Sequence, residues 1–362
     1  MRKVILFASA FFIAIISLGQ VRYLTEALNS PLEVKHLKLK IEDNWNNLED
    51  LLRLENLQIL EVYVESGIQV NLPKTLFKLK DLKSISLQGT NISQIVFDNL
   101  DRFENLNELY VNDQTGNVVF PKSSGSLTRL ILVLDNAKRI DNTIKNFHSL
   151  TSLSIGSNSV KSIDNSISML KDLKYLRIHC DSLVSLPRTI CEMKSIEEID
   201  LYIKSDIGLP DEFHKLENLK EFRWGQSRRF PIEIYRCKSL ERLTFDKSYF
   251  DSIPVGISSL LHLKELTLSS GAFKELPRDF GKLYSLVELA LTGSEISVLP
   301  PDLSDLKSLK GVELKYCKNL TDAKSLIKSL KTVENLEWLI ISDSGLTYED
   351  QTTVKRELGL KN

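Results

Sequence analysis

The chain has 362 residues, 42% of them hydrophobic and 26% charged, which is the balance of a soluble globular protein. Its 47 basic and 48 acidic side chains leave a net charge of −1. That excludes the strong positive field by which nucleic acid or an anionic membrane surface is held.

The first nineteen residues differ from the rest. Arg2 and Lys3 precede an apolar core from Val4 to Leu18, and Ser17 and Gly19 place small residues before a cleavage point after Gly19. This is the organisation of a secretory signal peptide, residues 1–19. The core is short for a bilayer span, which takes about 20 residues, so no stable membrane span is expected after cleavage. No Cys follows the core, so a lipoprotein anchor is not supported. Residues 20–33 read as an N-terminal helical cap. Tyr23 to Asn29 can form a short helix with Leu24, Ala27 and Leu28 on one face, and Pro31 ends it.

From Val34 the motif Leu-x-x-Leu-x-Leu returns fourteen times. Its starts are Val34, Leu57, Leu82, Leu106, Leu127, Leu150, Leu173, Ile196, Leu219, Leu240, Leu263, Leu286, Leu309 and Leu336, and most are 23 residues apart. The last four positions alternate apolar and polar, as in a half-buried strand. The leucines point inward and the x residues outward. No repeat can bury its own apolar edge, so neighbours must stack. Leu176→Ala should cost about 2–5 kcal/mol through transfer and cavity terms. Many repeats carry Leu-Pro in their second half, at Leu72-Pro73, Leu186-Pro187, Leu276-Pro277 and Leu299-Pro300, with Phe230-Pro231 and Ile253-Pro254 as variants. Proline lacks an N–H and fixes φ, which suits a return segment outside the sheet. The stretch from Thr321 to Leu330 has helical spacing, with Thr321 as a candidate N-cap. Residues 347–362 read as a C-terminal helical cap. Thr347 caps it, Glu349 and Asp350 lie in the first turn, Val354 and Leu358 face the last repeat, and Gly359 stops it.

Over residues 34–346 the chain resembles the leucine-rich repeat family, in its short 23-residue bacterial-type subclass. The resemblance implies an α/β solenoid of about fourteen strands, a right-handed horseshoe. A parallel sheet would line the concave face, and short helical, 3-10 or extended return segments the convex face. The stretch from Tyr23 to Leu39 resembles the N-terminal cap of exported Bacteroidetes-type repeat proteins. The family's turn asparagine survives only as Asn158, replaced elsewhere by Asp181, Thr90, Ser248, Ser294, Ser344 and Cys317. The four cysteines, Cys180, Cys191, Cys237 and Cys317, read as free structural thiols. Cys191 and Cys237 lie two repeats apart, about 10 Å, beyond the ~7 Å that a disulfide spans. An exported chain without disulfides fits a bacterium.

The sequence carries no Gly-x-Ser-x-Gly elbow, phosphate loop, His-Glu-x-x-His or Cys-x-x-Cys. No enzyme activity, cofactor or metal is expected. The outward x positions of the central strands hold the candidate binding residues: Tyr175, Arg177 and His179; Glu198, Asp200 and Tyr202; Glu221 and Arg223; Arg242, Thr244 and Asp246. Arg177, Asp200 and Arg223 should form an alternating row. Such a row is either a solvated face with cross-strand pairs or a partner site rich in the Tyr and Arg of interface hot spots. The expected function is an exported, non-catalytic module that binds a protein partner through the concave sheet. The alternatives are an extended glycan or cell-wall polymer, for which Tyr63, Tyr110, Tyr175 and Tyr202 could stack on sugar rings, or a structural role at the cell envelope.

Overall fold

The computed structural model describes residues 24–42, 48–65, 68, 73–89, 97–113, 120–205 and 207–361. The signal peptide, Tyr23, Leu72 and Thr90 lie outside the described residues. The chain divides into two compact units, Met1–Arg129 and Leu130–Asn362.

The first unit opens with a short helix α1 (Leu24–Ala27), whose Leu24 and Ala27 are buried as its apolar spacing predicts. Four parallel strands follow in chain order: β1 (His36–Ile41), β2 (Ile59–Val64), β3 (Ser84–Gln88) and β4 (Glu108–Asp113). Their inward residues are in register, as in Leu37 with Leu60 and Leu60 with Ile85, so apolar columns run across the strands. On the outer face, His36 Nε2 lies 2.7 Å from Glu61 Oε1, and Lys38 lies 3.2 Å from its other oxygen.

The second unit repeats the same plan from β5 (Arg129–Leu134), of which all but Arg129 belongs to it. A two-stranded return-side ladder pairs β6 (Arg139–Ile140) with β8 (Ser162–Ile163). The main sheet runs β5, β7 (Ser152–Ser157), β9 (Tyr175–Cys180), β10 (Glu198–Tyr202), β11 (Glu221–Gly225), β12 (Arg242–Asp246), β13 (Glu265–Leu268), β14 (Glu288–Ala290), β15 (Gly311–Glu313) and β16 (Trp338–Ile340). All the pairings described are parallel. Every one of the fourteen strands predicted from the repeat starts begins two residues after its start. Thirteen of the starting residues are buried, and Leu336 is half-buried.

Most of the return segments contain a 3-10 turn, and the Leu-Pro signal shows how several of them begin. The carbonyls of Pro187, Pro210, Pro231 and Pro277 accept the N–H three residues on, from Ile190, Phe213, Ile234 and Phe280. Proline supplies an acceptor and is asked for no donor. The last long return is a true helix, α2 (Ala323–Leu330), but its N-cap is Asp322, not Thr321. The Asp322 carboxylate accepts from the Ser325 N–H at 3.0 Å. The terminal helix α3 (Tyr348–Glu357) begins as expected on Thr347, which forms a reciprocal capping box with Asp350. Val354 is fully buried, and Gly359 ends the helix at φ 69°.

The strand-to-return turn changes character along the second unit. Strands β7 and β9 run six residues, so their sixth side chain, Ser157 or Cys180, points inward. Ser157 Oγ donates to the Leu134 carbonyl at 2.6 Å and accepts from the N–H of Ser159 and Val160. Asn158 is exposed, so the turn role expected of it belongs to Ser157. From β11 onward the chain leaves the strand through a left-handed residue at Gln226, Lys247, Ser270, Gly293, Tyr316 and Asp343, with φ between 50° and 66°. This moves the inward position one residue later, to the buried Ser227, Ser248, Ser294 and Cys317. Phenylalanines fill the space behind these turns: Phe230 packs on Phe245 at 4.9 Å, Phe245 on Phe250 at 5.5 Å, and Phe250 stacks on Phe273 at 5.9 Å.

All four cysteines are buried and free. No helix among the described residues is long and apolar enough to cross a membrane.

Candidate partner-binding face

Parallel pairing without a register slip converts the x positions of β7 to β12 into three columns on the open face of the sheet. The first holds Tyr175, Glu198, Glu221 and Arg242. The second holds Ser154, Arg177, Asp200, Arg223 and Thr244. The third holds Gly156, His179, Tyr202, Gly225 and Asp246. The eleven candidate residues therefore share one surface in one compact unit.

They are tied together by charge. Arg177 Nε donates to Asp200 Oδ2 at 2.8 Å, and His179 Nε2 lies 3.6 Å from the same oxygen. Burial works to raise the Asp200 carboxyl, but the neighbouring His179 and Arg177 side chains outweigh it and hold the group below the usual carboxylate range. Glu221 is almost fully covered, with 6% of its surface exposed. Arg223 Nε reaches it at 2.6 Å along its own strand, and Arg242 Nε reaches it at 2.7 Å from the next. Burial raises this carboxyl too, but the two arginines prevail and keep it low. Glu198 faces Glu221 across the strands. Burial and then that neighbouring charge push its carboxyl up.

The alternating row expected of Arg177, Asp200 and Arg223 is present as a register but not as a chain of ion pairs. Arg223 turns to Glu221 because a carboxylate two residues away on the same face is held in a preset position. Two clusters result, Arg177–Asp200–His179 and Arg223–Glu221–Arg242.

The aromatic residues divide sharply. Tyr175 is 47% exposed and Tyr63, in the first unit, 45%. Tyr110 is 4% exposed, so it cannot serve as a platform for a sugar ring. Tyr202 lies across Gly225, where a Cβ would sit 2.4 Å from its ring. Its ring centroid is 5.5 Å from that of His179, and its hydroxyl accepts from Gln226 Nε2 at 2.7 Å. Gln226 carries no apolar or periodic signal, and its role at Tyr202 was invisible in the sequence. The further strands are plainer: Glu265, Thr267, Glu288 and Ala290 face outward on β13 and β14. Among the described residues, no group of three or more His, Cys, Asp or Glu side chains is placed to hold a metal ion.

One strand per repeat, an inward leucine ladder and 3-10 turns in most returns define a leucine-rich repeat solenoid, and that is the fold of this chain. No family model matches it, and no curated protein sequence does. Among solved structures it is similar to a leucine-rich repeat protein of Leptospira interrogans, at 21% identity over 96% of this chain and 100% of that one, TM-score 0.53. It is also similar to an internalin of Listeria monocytogenes, at 16% identity over 92% and 87%, TM-score 0.56. A chain of the Toll–Spatzle complex of Drosophila aligns at 14% identity over 90% of this chain and 50% of that one, TM-score 0.67. At these identities the likeness is one of fold.

Proposed function

We propose that this chain is an exported, non-catalytic recognition module that binds a protein partner through the open face of β9 to β12, read as the concave side of the array. In this reading residues 1–19 are a signal peptide, 20–33 and 347–362 are caps, and 34–346 are the recognition array. The observation that carries it is the gathering of Tyr175, Arg177, Tyr202, Arg223 and Arg242 in three adjacent columns, residue types over-represented among interface hot spots. Their geometry is preset by Asp200, Glu221 and Gln226, which lowers the ordering cost of binding. The fold supports an interaction role, since one solved structure of similar fold is a chain of a protein–protein complex, Toll–Spatzle.

An extended glycan is the weaker reading, because the tyrosines it would need are dispersed: one is buried, one is packed on Gly225, and the exposed pair belongs to different units. The test is crosslinking of the chain lacking residues 1–19 in extracts of its source cell, followed by affinity measurement with the partner recovered. Changing Arg177, Tyr202 and Arg223 together to Ala should weaken binding at least about tenfold, 1.4 kcal/mol. Unchanged affinity in a folded triple variant would falsify this placement.

A further inference from the structure

Where β10, β11 and β12 end, the loops that follow enclose a shallow pocket of about 460 Å³ lined by Lys204, Gln226, Arg228 and Tyr249. Each lining group has a distinct chemical offer. Arg228 is exposed and has no counter-ion among the described residues. Lys204 shares its charge with Asp181. The Gln226 N–H is committed to Tyr202, which leaves its carbonyl oxygen as an acceptor. Tyr249 is 60% exposed and presents a bare ring. The backbone at Gln226 has φ 64°, a conformation costly for a non-glycine residue, and it carries the amide to this position. Through Tyr202 the pocket adjoins the third column of the open face.

We propose that this pocket is a subsite for a carboxylate side chain carried on an acidic peptide segment of the partner. A guanidinium fork matches a carboxylate in two parallel hydrogen bonds, and the ammonium adds a point charge. The Gln226 carbonyl accepts a backbone N–H beside the acidic residue, and the Tyr249 ring covers its methylenes. An acidic polysaccharide would need further stacking platforms along its chain, and only Tyr249 supplies one among these four residues. The inference deepens the protein-binding reading of the open face and rests on it.

The probe is a fluorescein-labelled decapeptide rich in Glu, with a Gln counterpart and a polygalacturonate fragment of equal charge as competitor, read by fluorescence anisotropy on the folded chain. The Glu peptide should bind at least about tenfold more tightly than the Gln peptide, and less tightly as salt rises. Arg228→Ala should lose about tenfold and Arg228→Lys less, because Lys keeps the charge without the fork. Equal binding of both peptides, an unaffected Arg228→Ala variant, or stronger competition by polygalacturonate than by unlabelled Glu peptide overturns the proposal. The two failures separate cleanly. A partner that needs Arg177, Tyr202 and Arg223 but ignores Arg228 sinks the subsite alone. A partner indifferent to the triple change sinks the face.

Discussion

Gly225 offers a sharp test of how the open face is built. Its missing Cβ is the space the Tyr202 ring occupies, 2.4 Å from the Tyr202 Cδ2 atom. Gly225→Ala must therefore lift that ring. Lifting it breaks the Gln226–Tyr202 hydrogen bond, worth about 0.5–1.5 kcal/mol, and the ring contact with His179, worth a similar ~0.5–1.5 kcal/mol. Against this, Ala in a strand interior gains roughly 0.5–1 kcal/mol over Gly. The net expectation is a loss of up to about 2.5 kcal/mol, centred near ~1 kcal/mol. Gly156 lies in the same column, but its added Cβ would meet only Leu132 O and Val133 Cγ2, each at 3.7 Å, an ordinary contact. Gly156→Ala should therefore be neutral or mildly stabilising. The decisive comparison is a double-mutant cycle. In a Tyr202→Ala background, Gly225→Ala should cease to cost anything and gain about 0.5–1 kcal/mol. Urea unfolding followed by circular dichroism, with unchanged m, measures all four proteins. If Gly225→Ala costs the same with and without Tyr202, the ring does not fill that space and the reasoning fails.

Acid should loosen this face in a residue-specific way. The Asp200 and Glu221 carboxyls are held low, so the stability they contribute is complete above the unfolded carboxylate range and is lost as pH falls through their folded values. The urea midpoint should accordingly fall more steeply between pH 7 and pH 3 in the wild type than in Asp200→Asn, and parallel curves would contradict the assignment. Glu198 has the opposite sign, since its carboxyl is pushed up. Glu198→Gln should stabilise the protein at pH 7, with the gain shrinking as pH falls through the folded value, and a gain that grows toward acid would refute it. The thiols give a third measurement. Burial pushes Cys180 and Cys237 up to about 12 and Cys191 up to about 11. At pH 8 a thiol reagent should leave them untouched in the folded chain and label them in urea. Equal rates in the two states would show that they are not enclosed.

The repeat arithmetic located the fourteen strands because their pattern is local: an apolar residue, two spacers, then alternation, so each start predicts a strand two residues on. The N-cap at Thr347 was legible for the same reason, since a cap is set by the residues that immediately follow it. Membership of the open face was legible as well, because side chains alternate along a strand.

Other features depended on which side chain a neighbouring repeat supplies, and sequence spacing does not carry that. Tyr110 sits at an outward position of β4 yet is buried, and beside it on β3 the small Ser84 and Ser86 are buried too. Arg223 bonds Glu221 in place of Asp200 because two carboxylates compete for it and the geometry chooses. Ser157 takes the turn from Asn158 because β7 runs one alternation further than the strands after β10. A periodic apolar code states where strands run, since that is decided by burial within each repeat. Contacts between repeats, where the specificity of the surface resides, are settled only when the coils are stacked.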